Sequence, residues 1–417
     1  MKILHTADWH LGKKFHEISL FEVQRELLNQ IIEKLNELKP DVFVLAGDIY
    51  QHYNPSDEAV NLFDEFLVKA VKSHPGTTFI IINGNHDSSD KLNFGSQLMV
   101  ENLKIISKLP STKEPKPLKI PIHKNGFDFD FYVIPFIRIF DFNQQFPDHR
   151  VDDHKGVYET LFSSLEIDHG IPILITHAAI DYMGYSEDKT SEDDTYGNVG
   201  LVSAEVFKKF KLVLLGHFHK HLKFSDSIYY SGSIYKYSER EVSHTKGILL
   251  HEWDGKTFQT KLIPLKPMRD VVYIEDTKSN IINNSKYHQH KDDFVFINIK
   301  DTSLSYHERA RLKDELSNYF NNIVSITYEE LISNLRSWQY NLTYEEVHEL
   351  SIEQLFSKFL DYVTQTQKEE TDATSPKKEP TLEKTSDDDT SLPRDEFIKI
   401  IKQYYDEFKK GDLIIGG

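Results

Sequence analysis

The apolar residues in the first 90 positions alternate between short continuous runs and longer stretches with helical spacing. The helical spacing covers Phe21–Leu38 and residues 56–71, the second with Ser56 in the N-cap position. The continuous runs are typical of strands that are buried on both faces. Strands that alternate with helices in this order predict a parallel sheet with right-handed crossovers. With two further runs downstream, five buried strands are predicted, at residues 2–4, 43–46, 79–82, 171–175 and 212–215.

The later part of the chain adds strand patterns of a different kind. Residues 127–134 alternate apolar and polar side chains, which is typical of a half-buried strand. Shorter strand patterns at 228–230, 247–253 and 257–263 form a meander that we expect to complete a second sheet. From Val271 onward, strand, helix and strand patterns predict a small α/β unit.

The last part of the chain contains two amphipathic segments with a very polar segment between them. Residues 343–363 carry apolar side chains at helical spacing. Residues 364–393 are rich in Thr, Ser, Lys, Glu, Asp and Pro and contain almost nothing apolar, so they predict a disordered acidic linker. A short helix from Arg394 to Lys410 follows, and its apolar stripe requires a partner surface.

Polar side chains that can bind a metal follow all five buried strands. Because the carboxyl ends of parallel strands meet at one edge of a sheet, we expect these side chains to lie close together. Asp, Asn and His supply the mixed oxygen and nitrogen ligands that Mn, Fe or Zn accept, and a carboxylate can bridge two ions. The side chains in question are Asp8, His10, Asp48, Asn85, His86, Asp87, His177, His217 and His219.

Each of these motifs alone has an ordinary structural explanation. A Gly-Asp pair after a strand, as at Asp48, is more often a turn than a ligand. His177 alone fits a buried core histidine, and His219 alone fits a surface one. These explanations do not account for five motifs that all fall at strand ends. The pattern therefore indicates a two-metal site that hydrolyses a phosphate ester.

At these residues the chain resembles the calcineurin-like metallophosphoesterases. The signature of that family is D-x-H, G-D, G-N-H-D, a single His and G-H-x-H, and all five blocks are present in this order. The flanking sequences H-T-A-D-W-H-L-G, T-H-A-A-I, Y-S-G-S-I and P-L-K-P-M-R resemble a branch of the family that cuts DNA together with a coiled-coil ATPase. The resemblance implies an α/β fold, a four-layer α/β/β/α sandwich with a small α/β capping domain and a C-terminal tethered helix.

The sequence patterns, together with the resemblance over about the first 340 residues, give boundaries for the parts of the chain. We predict a metallophosphoesterase nuclease domain, a capping domain, an amphipathic helix, a disordered acidic linker and a partner-binding helical segment. These parts span residues 1–270, 271–342, 343–363, 364–393 and 394–417, respectively.

The family pattern implies a role for each motif residue. The metal ligands fall into two sets that share Asp48 as a bridge. The first set is Asp8, His10 and His219. The second set is Asn85, His177 and His217. His86 would be the catalytic side chain, acting on the scissile phosphate and not on a metal. The implied cofactor is a pair of divalent ions, Mn in particular.

Three residues near the motifs are weaker candidates. Relatives commonly carry His or Asp three residues after the bridging carboxylate, whereas this chain has Gln51 there, followed by His52. We expect Gln51 to occupy the place near the phosphate and His52 to lie on the surface; the alternative is a local shift that gives His52 the role. Asp87 would either orient the neighbouring imidazole or cap the following turn.

The charge of the chain argues against strong DNA binding by the isolated protein. The formal net charge is −17 over 417 residues, whereas phosphate contacts require a positive surface. Bound divalent cations would offset the carboxylates at the site, and a partner subunit could supply positive charge. Lys13 and Lys14, beside the first ligands, are candidate DNA contacts; two solvated loop lysines are an equal alternative.

Composition and the first residues bear on the cellular compartment. Cysteine is absent, which excludes disulfides and thiolate ligands and suits a reducing cytoplasm. The chain shows no signal-peptide pattern, and no stretch approaches about 18 consecutive apolar residues. We therefore expect a cytoplasmic protein that does not span a membrane.

The expected function is that of a Mn-dependent DNA nuclease subunit in a repair and recombination complex. It would act as an exonuclease on double-strand ends and as an endonuclease on single strands or hairpins. The implied partners are DNA, a second copy of the chain and a coiled-coil ATPase bound through the helix from Arg394 to Lys410. That helix could instead dock on its own capping domain.

Two other functions remain open from the sequence. A small-substrate phosphatase or cyclic-nucleotide phosphodiesterase would have the same ligands but no need for a capping domain and a tethered helix. A non-catalytic scaffold on the same fold would be expected to have lost ligands, and the motifs have lost none.

Overall fold

The computed structural model of the chain describes residues 1–94, 100–163, 165–167, 169–181, 200–301, 304 and 306–329. The chain divides into two compact units, with the division between Asp270 and Val271. The predicted segments 343–363, 364–393 and 394–417 lie outside the described residues.

The first unit begins with alternating strands and helices, as the hydrophobic pattern predicts. Ser56 caps the second long helix, because its hydroxyl accepts the N–H of Ala59 at 3.3 Å. The first long helix is followed by Lys39, which has a left-handed backbone conformation and precedes Pro40. The elements are β1 (Lys2–Thr6), β2 (Lys14–Phe15), β3 (Ile18–Ser19), α1 (Phe21–Leu38), β4 (Val42–Ala46), α2 (Asp57–Ser73), β5 (Thr78–Ile82), α3 (Ser89–Asn93) and β6 (Leu103–Ile106).

The rest of the first unit contributes most of a second sheet and two helices. Its elements are β7 (Leu118–Lys124), β8 (Phe127–Ile134), α4 (Ile139–Gln145), α5 (His154–Ser163), β9 (Ile171–His177), β10 (Leu212–Gly216), β11 (Leu222–Lys223), β12 (Ile228–Tyr230), β13 (Gly247–Trp253) and β14 (Phe258–Pro264).

These strands form two six-stranded sheets. The first has the order β14-β13-β1-β4-β5-β6, and the second has the order β11-β12-β10-β9-β8-β7. In the first sheet, the neighbouring strands β1, β4, β5 and β6 run parallel to one another. In the second sheet, the neighbouring strands β12, β10, β9 and β8 also run parallel to one another. The carboxyl ends of the five buried strands with ligand motifs therefore lie at one edge of each sheet.

The prediction that strands 247–253 and 257–263 complete the second sheet is wrong. Both belong to the first sheet, where β13 pairs antiparallel with β1 and places Leu250 opposite Leu4. Only β12 joins the second sheet, parallel to β10. The physical reason is that β1 is buried at this edge, where its backbone N–H and C=O groups require partners. Strand β13 supplies them.

The sheets and helices pack as four layers. The two sheets face each other across a core that includes Val44 from β4, Ile175 from β9 and Leu214 from β10. Helices cover the two outer faces. On the first sheet, the ring of Phe43 packs 5.9 Å from that of Phe66 in α2. On the second, α4 and α5 contribute side chains such as Phe142 to a separate core cluster. The predicted four-layer sandwich is confirmed.

The second unit is a three-stranded parallel sheet with helices, as predicted from the pattern after Val271. Its core includes Ile281, Leu312 and Leu316 from the helices. The elements are β15 (Val271–Asp276), α6 (Lys278–Asn283), α7 (Ser285–His288), β16 (Phe294–Ile299), α8 (Tyr306–Leu316) and β17 (Asn322–Tyr328). Among the described residues of both units, no helix is long and apolar enough to cross a membrane.

Candidate metal centre

Several residues predicted to bind metal have unusual backbone conformations at the strand ends. The φ angles are 54° at Asp8, 45° at His10, 49° at Asp48 and 112° at His217. Side chains other than glycine rarely adopt positive φ, and such strain persists only where the surroundings enforce it. Backbone hydrogen bonds hold the first two loops together, since the N–H of His10 donates to the carbonyl of Asp48 at 3.0 Å.

Gly84 allows two of these loops to approach each other. A Cβ atom at this position would collide with the carboxylate of Asp48. Next to it, the backbone N–H of His86 donates to Asp48 Oδ1 at 3.0 Å. The glycine of the G-N-H-D motif is therefore required by the close packing of the loop against the bridging candidate.

The first predicted ligand set comes together at the edge of the sandwich. His10 Nε2 lies 2.9 Å from His219 Nε2 and 3.8 Å from Asp48 Oδ2. Both carboxylate oxygens of Asp8 accept the backbone N–H of His217, at 3.0 and 3.1 Å. The carboxylate of Asp8 is thus fixed against the loop after β10, which carries His217 of the second set.

The second predicted set lies directly beside the first. His177 Nε2 is 2.9 Å from Asn85 Oδ1 and 3.4 Å from Asp48 Oδ2. His217 Nδ1 is 3.2 Å from the same Asn85 oxygen. Asp48 therefore contacts members of both sets. Among the described residues, two three-residue groups whose ligand atoms lie within 4.8 Å of one another could hold a metal, and Asp48 belongs to both.

A hydrogen bond to the backbone orients the ring of His177. Its Nδ1 lies 2.8 Å from the carbonyl oxygen of Ala46, and a carbonyl can only accept. Nδ1 therefore carries the proton, which leaves Nε2 of the neutral ring with a lone pair towards Asn85 and Asp48. Histidine ligands are commonly oriented in this way.

The electrostatics of the site favour added positive charge. Asp8 and Asp48 are almost fully buried. Burial raises the pKa of Asp8 to about 7, and attraction to His177 only partly opposes this effect. Burial lowers the pKa of His177, but the attraction of Asp48 outweighs burial and raises that pKa to about 9. Protonation of Asp8 removes a buried negative charge, and protonation of His177 places a positive charge beside Asp48. Bound cations can compensate the two buried carboxylates in the same way.

The donors themselves test whether divalent ions fit here. The Nε2 atoms of His10 and His219 lie 2.9 Å apart, and two nitrogen lone pairs at this distance require a proton or a cation. Mixed carboxylate, amide and imidazole donors suit Mn, Fe or Zn. The residues present therefore fit divalent ions, as the sequence predicts.

His86 lies beside the first set. Its ring is 4.9 Å from that of His10. His86, His10 and Asp48 form one of the two three-residue groups described above that could hold a metal. Its Nδ1 is 2.9 Å from the backbone carbonyl oxygen of Gln51, so Nδ1 donates and the imidazole is held from the loop after β4. Gln51 thus acts through its backbone, and His52 is exposed.

Asp87 makes different contacts from either predicted role. Its carboxylate accepts three backbone N–H groups, from Ile49 at 3.1 Å, Tyr50 at 2.9 Å and Gly84 at 2.9 Å. It therefore ties the loop after β4 to the loop after β5. Orientation of the His86 imidazole was one of the two roles open to Asp87, and the structure shows the carbonyl of Gln51 in contact with that ring.

The two candidate DNA-contact lysines differ in their surroundings. The ammonium group of Lys13 lies 5.9 Å from the ring centre of Tyr237, whose ring packs 5.5 Å from His10. Lys14 is exposed at the start of β2. Lys13 is therefore next to the first ligand set, and Lys14 faces solvent.

Sequence reasoning missed a buried ion pair behind His219. Glu241 Oε1 is 3.0 Å from His219 Nδ1, and Glu241 Oε2 is 2.5 Å from Lys246 Nζ. The lysine also donates to the carbonyl oxygen of His219 at 2.8 Å. Burial raises the pKa of Glu241, but the attraction of Lys246 and His219 outweighs burial and holds it well below its usual range. No motif marks either residue, because both lie where the chain crosses from the second sheet to the first.

We predict that Glu241→Gln weakens binding of the first ion about 10- to 100-fold and leaves the second ion nearly unaffected. The charged carboxylate orients the His219 ring and makes its Nε2 a more basic metal ligand. Loss of such a partner typically lowers metal affinity by this factor. Titration of the metal-free protein with Mn²⁺ would separate the two binding steps. Glu239→Gln, an exposed change two residues away, is the matched control. Equal weakening of both steps would indicate general destabilisation instead.

Comparisons with known proteins show what the chain is similar to. A family model for calcineurin-like phosphoesterases matches residues 1–221. The D subunit of the SbcCD nuclease from Staphylococcus saprophyticus is 29% identical over 368 residues, which cover 87% of this chain and 93% of that protein. Similar solved structures include a protein of Thermus thermophilus (12% identity, TM-score 0.36, 63% of this chain and 98% of that chain). Another is a dimetal phosphatase from Danio rerio (10% identity, TM-score 0.39, 63% of this chain and 96% of that chain).

Proposed function

Because the chain belongs to the calcineurin-like phosphoesterase family, we propose that it is the Mn-dependent DNA nuclease subunit of an SbcCD-type repair and recombination complex. The observation that carries the proposal is the convergence of all seven predicted ligands on one edge, with Asp48 in contact with both sets. The similarity to a nuclease subunit along 93% of that protein's length favours DNA as the substrate.

The chain's own residues would divide the chemistry among them. Two divalent ions, when bound, would act as Lewis acids on the phosphate and activate the attacking water. Asp48 would hold the two ligand sets in register, and the carbonyl of Ala46 would keep the His177 ring in its ligand orientation. His86, anchored through Nδ1, would present Nε2 to the phosphate, either to stabilise its charge or to protonate the leaving oxygen.

The second unit and the segments after it extend the proposal. We assign residues 271–342 to a capping domain, of which 271–301, 304 and 306–329 are described. An enzyme for small phosphate esters has no need of such additions. The proposed partners are DNA, a second copy of the chain and an SbcC-type ATPase.

A comparison of substrates tests the proposal against the small-substrate alternative. The purified chain in Mn²⁺ would be incubated with linear duplex DNA, hairpin DNA, p-nitrophenyl phosphate and a cyclic nucleotide, with and without the ATPase. We expect cleavage of both DNAs, enhanced by the ATPase and ATP. Turnover of only the phosphomonoester or the cyclic nucleotide would favour a small-substrate enzyme, and no turnover at all would favour a scaffold.

Deletion of residues 394–417 is expected to abolish assembly with the ATPase while leaving cleavage of short substrates intact. The helix predicted from Arg394 to Lys410 would carry six large apolar side chains on one stripe. Each contributes about 1.5–3 kcal/mol on full burial, so burial of the whole stripe on a partner would offset the cost of ordering the helix and of association. Co-purification with the ATPase measures assembly. A chain that ends after Lys410 is the matched control, because it keeps the helix.

The same truncated protein distinguishes docking on the ATPase from docking on the chain's own capping domain. If the stripe packs within the chain, truncation will lower the melting temperature and leave the ATPase bound. That result would contradict the proposed partner role of this segment.

A further inference from the structure

A cavity of about 390 Å³ opens beside the metal centre. Its walls include Asn85, one of the predicted ligands, together with Tyr53, Phe136 and Gln144. The volume lies near the lower end of the range for small-molecule pockets, about 300–1,000 Å³. Because the cavity shares Asn85 with the metal centre, a group inside it would be next to the phosphate being cut.

The two cationic side chains of this cavity are already paired with carboxylates. Lys108 Nζ contacts Asp90 Oδ1 at 2.5 Å, and Arg138 Nε contacts Asp141 Oδ2 at 2.9 Å. All four residues line the cavity. A site for a second phosphate would need cations whose charge is not cancelled by neighbouring carboxylates. The cavity therefore fits an uncharged group better than a phosphate.

Apart from the carboxylate of Asp87, which accepts three backbone N–H groups, the remaining walls combine aromatic surface with uncharged polar groups. Phe136 and Tyr53 supply flat apolar surface. Amide and hydroxyl groups, which can both donate and accept hydrogen bonds, come from Ser89, Ser107, Gln144 and Gln145. A nucleobase has this same combination of a flat face and an edge of donors and acceptors.

Exposed aromatic side chains lie on three of the segments that surround the cavity. Tyr53 is 44% exposed, and the guanidinium of Arg138 lies 5.9 Å from its ring centre. Phe94 follows α3 and is 88% exposed, and Phe140 lies in α4 and is 74% exposed. Exposed aromatic rings with an adjacent arginine are typical of surfaces that bind unpaired nucleic acid by stacking.

We propose that this cavity receives an unpaired nucleobase of the strand being cut, with the Tyr53 ring as its stacking surface. The inference rests on the proposed function, because it deepens the choice of substrate for the same site. A base in the cavity requires that its nucleotide has left the duplex stack, which favours frayed ends, single strands and hairpin loops over continuous duplex.

The test measures binding and needs no cleavage. The full chain in EDTA is titrated into a fluorescent single strand and into a strand of equal length whose central residues are abasic, at fixed salt. Base stacking contributes about 1–3 kcal/mol per base, so the wild type should bind the intact strand about 5- to 150-fold more tightly. Tyr53→Ala should reduce this ratio at least fivefold, and Tyr53→Phe should keep it.

The controls separate stacking from other effects. Phe127→Ala removes an exposed aromatic ring at the start of β8 and should leave the ratio unchanged. Equal weakening of both strands by Tyr53→Ala would mean that the cavity binds backbone, and a wild-type ratio near 1 would mean that it binds no base; either result overturns the proposal. A chain that cuts no DNA but shows the Tyr53-dependent ratio would refute the proposed function alone.

Discussion

Asp48→Asn is expected to lower phosphodiester hydrolysis by about 10²- to 10⁴-fold and to reduce bound metal from two ions to one or fewer per chain. The side chain is almost fully buried and lies within 3.8 Å of a histidine from each ligand set. A neutral amide cannot bridge two cations as a carboxylate does. A bound ion contributes several kcal/mol of charge stabilisation in the transition state, and each 1.4 kcal/mol is about tenfold in rate, so the loss of one ion accounts for this factor.

Elemental analysis and the rate of DNA cleavage on the same sample check this prediction. Asp57→Asn, at the exposed start of α2, is a control that makes the same chemical change away from the site. A variant at position 48 that still bound two ions and cut DNA at the wild-type rate would refute the bridging role.

His86→Ala is expected to lower turnover about 10²- to 10⁴-fold while both ions remain bound. The contact of His86 with Asp48 is made by its backbone N–H, at 3.0 Å, and alanine keeps that donor. What alanine removes is the imidazole held by the carbonyl of Gln51, and general acid catalysis by such a ring contributes about this factor.

Metal content again distinguishes the two roles open to His86. Its ligand atom lies within 4.8 Å of those of His10 and Asp48. If His86→Ala loses an ion along with activity, the imidazole is a ligand and the assignment to the phosphate is wrong. Retained metal with slow turnover is the expected result.

The position of the ligands was predictable because it depends on local rules. A continuous apolar run forms a buried strand, parallel strands align their carboxyl ends, and the polar residue after each run falls at that edge. This reasoning places Asp48, Asn85 and His177 at that edge. In the structure, His177 Nε2 lies 2.9 Å from Asn85 Oδ1 and 3.4 Å from Asp48 Oδ2. The N-cap at Ser56 follows from equally local chemistry.

The features that were missed depend on where distant segments meet. The sequence of β13 does not indicate whether the strand pairs with β1 or joins the second sheet. The pairing depends on the edge of β1, whose backbone groups would otherwise be unpaired. Glu241 and Lys246 are an ordinary acid and base in sequence, and they become a buried pair only because the chain crosses behind His219. Asp87 accepts two N–H groups from a loop 37 and 38 residues away. Contacts of this kind are set by tertiary packing.

The most direct test of the two-metal account is a titration of the metal-free protein with Mn²⁺, with bound ions per chain and the rate of DNA cleavage measured on the same samples. We predict no cleavage in EDTA, and a rate that reaches its full value only when two ions are bound per chain. Full cleavage by the EDTA-treated protein, or by protein that binds no more than one ion, would contradict the account.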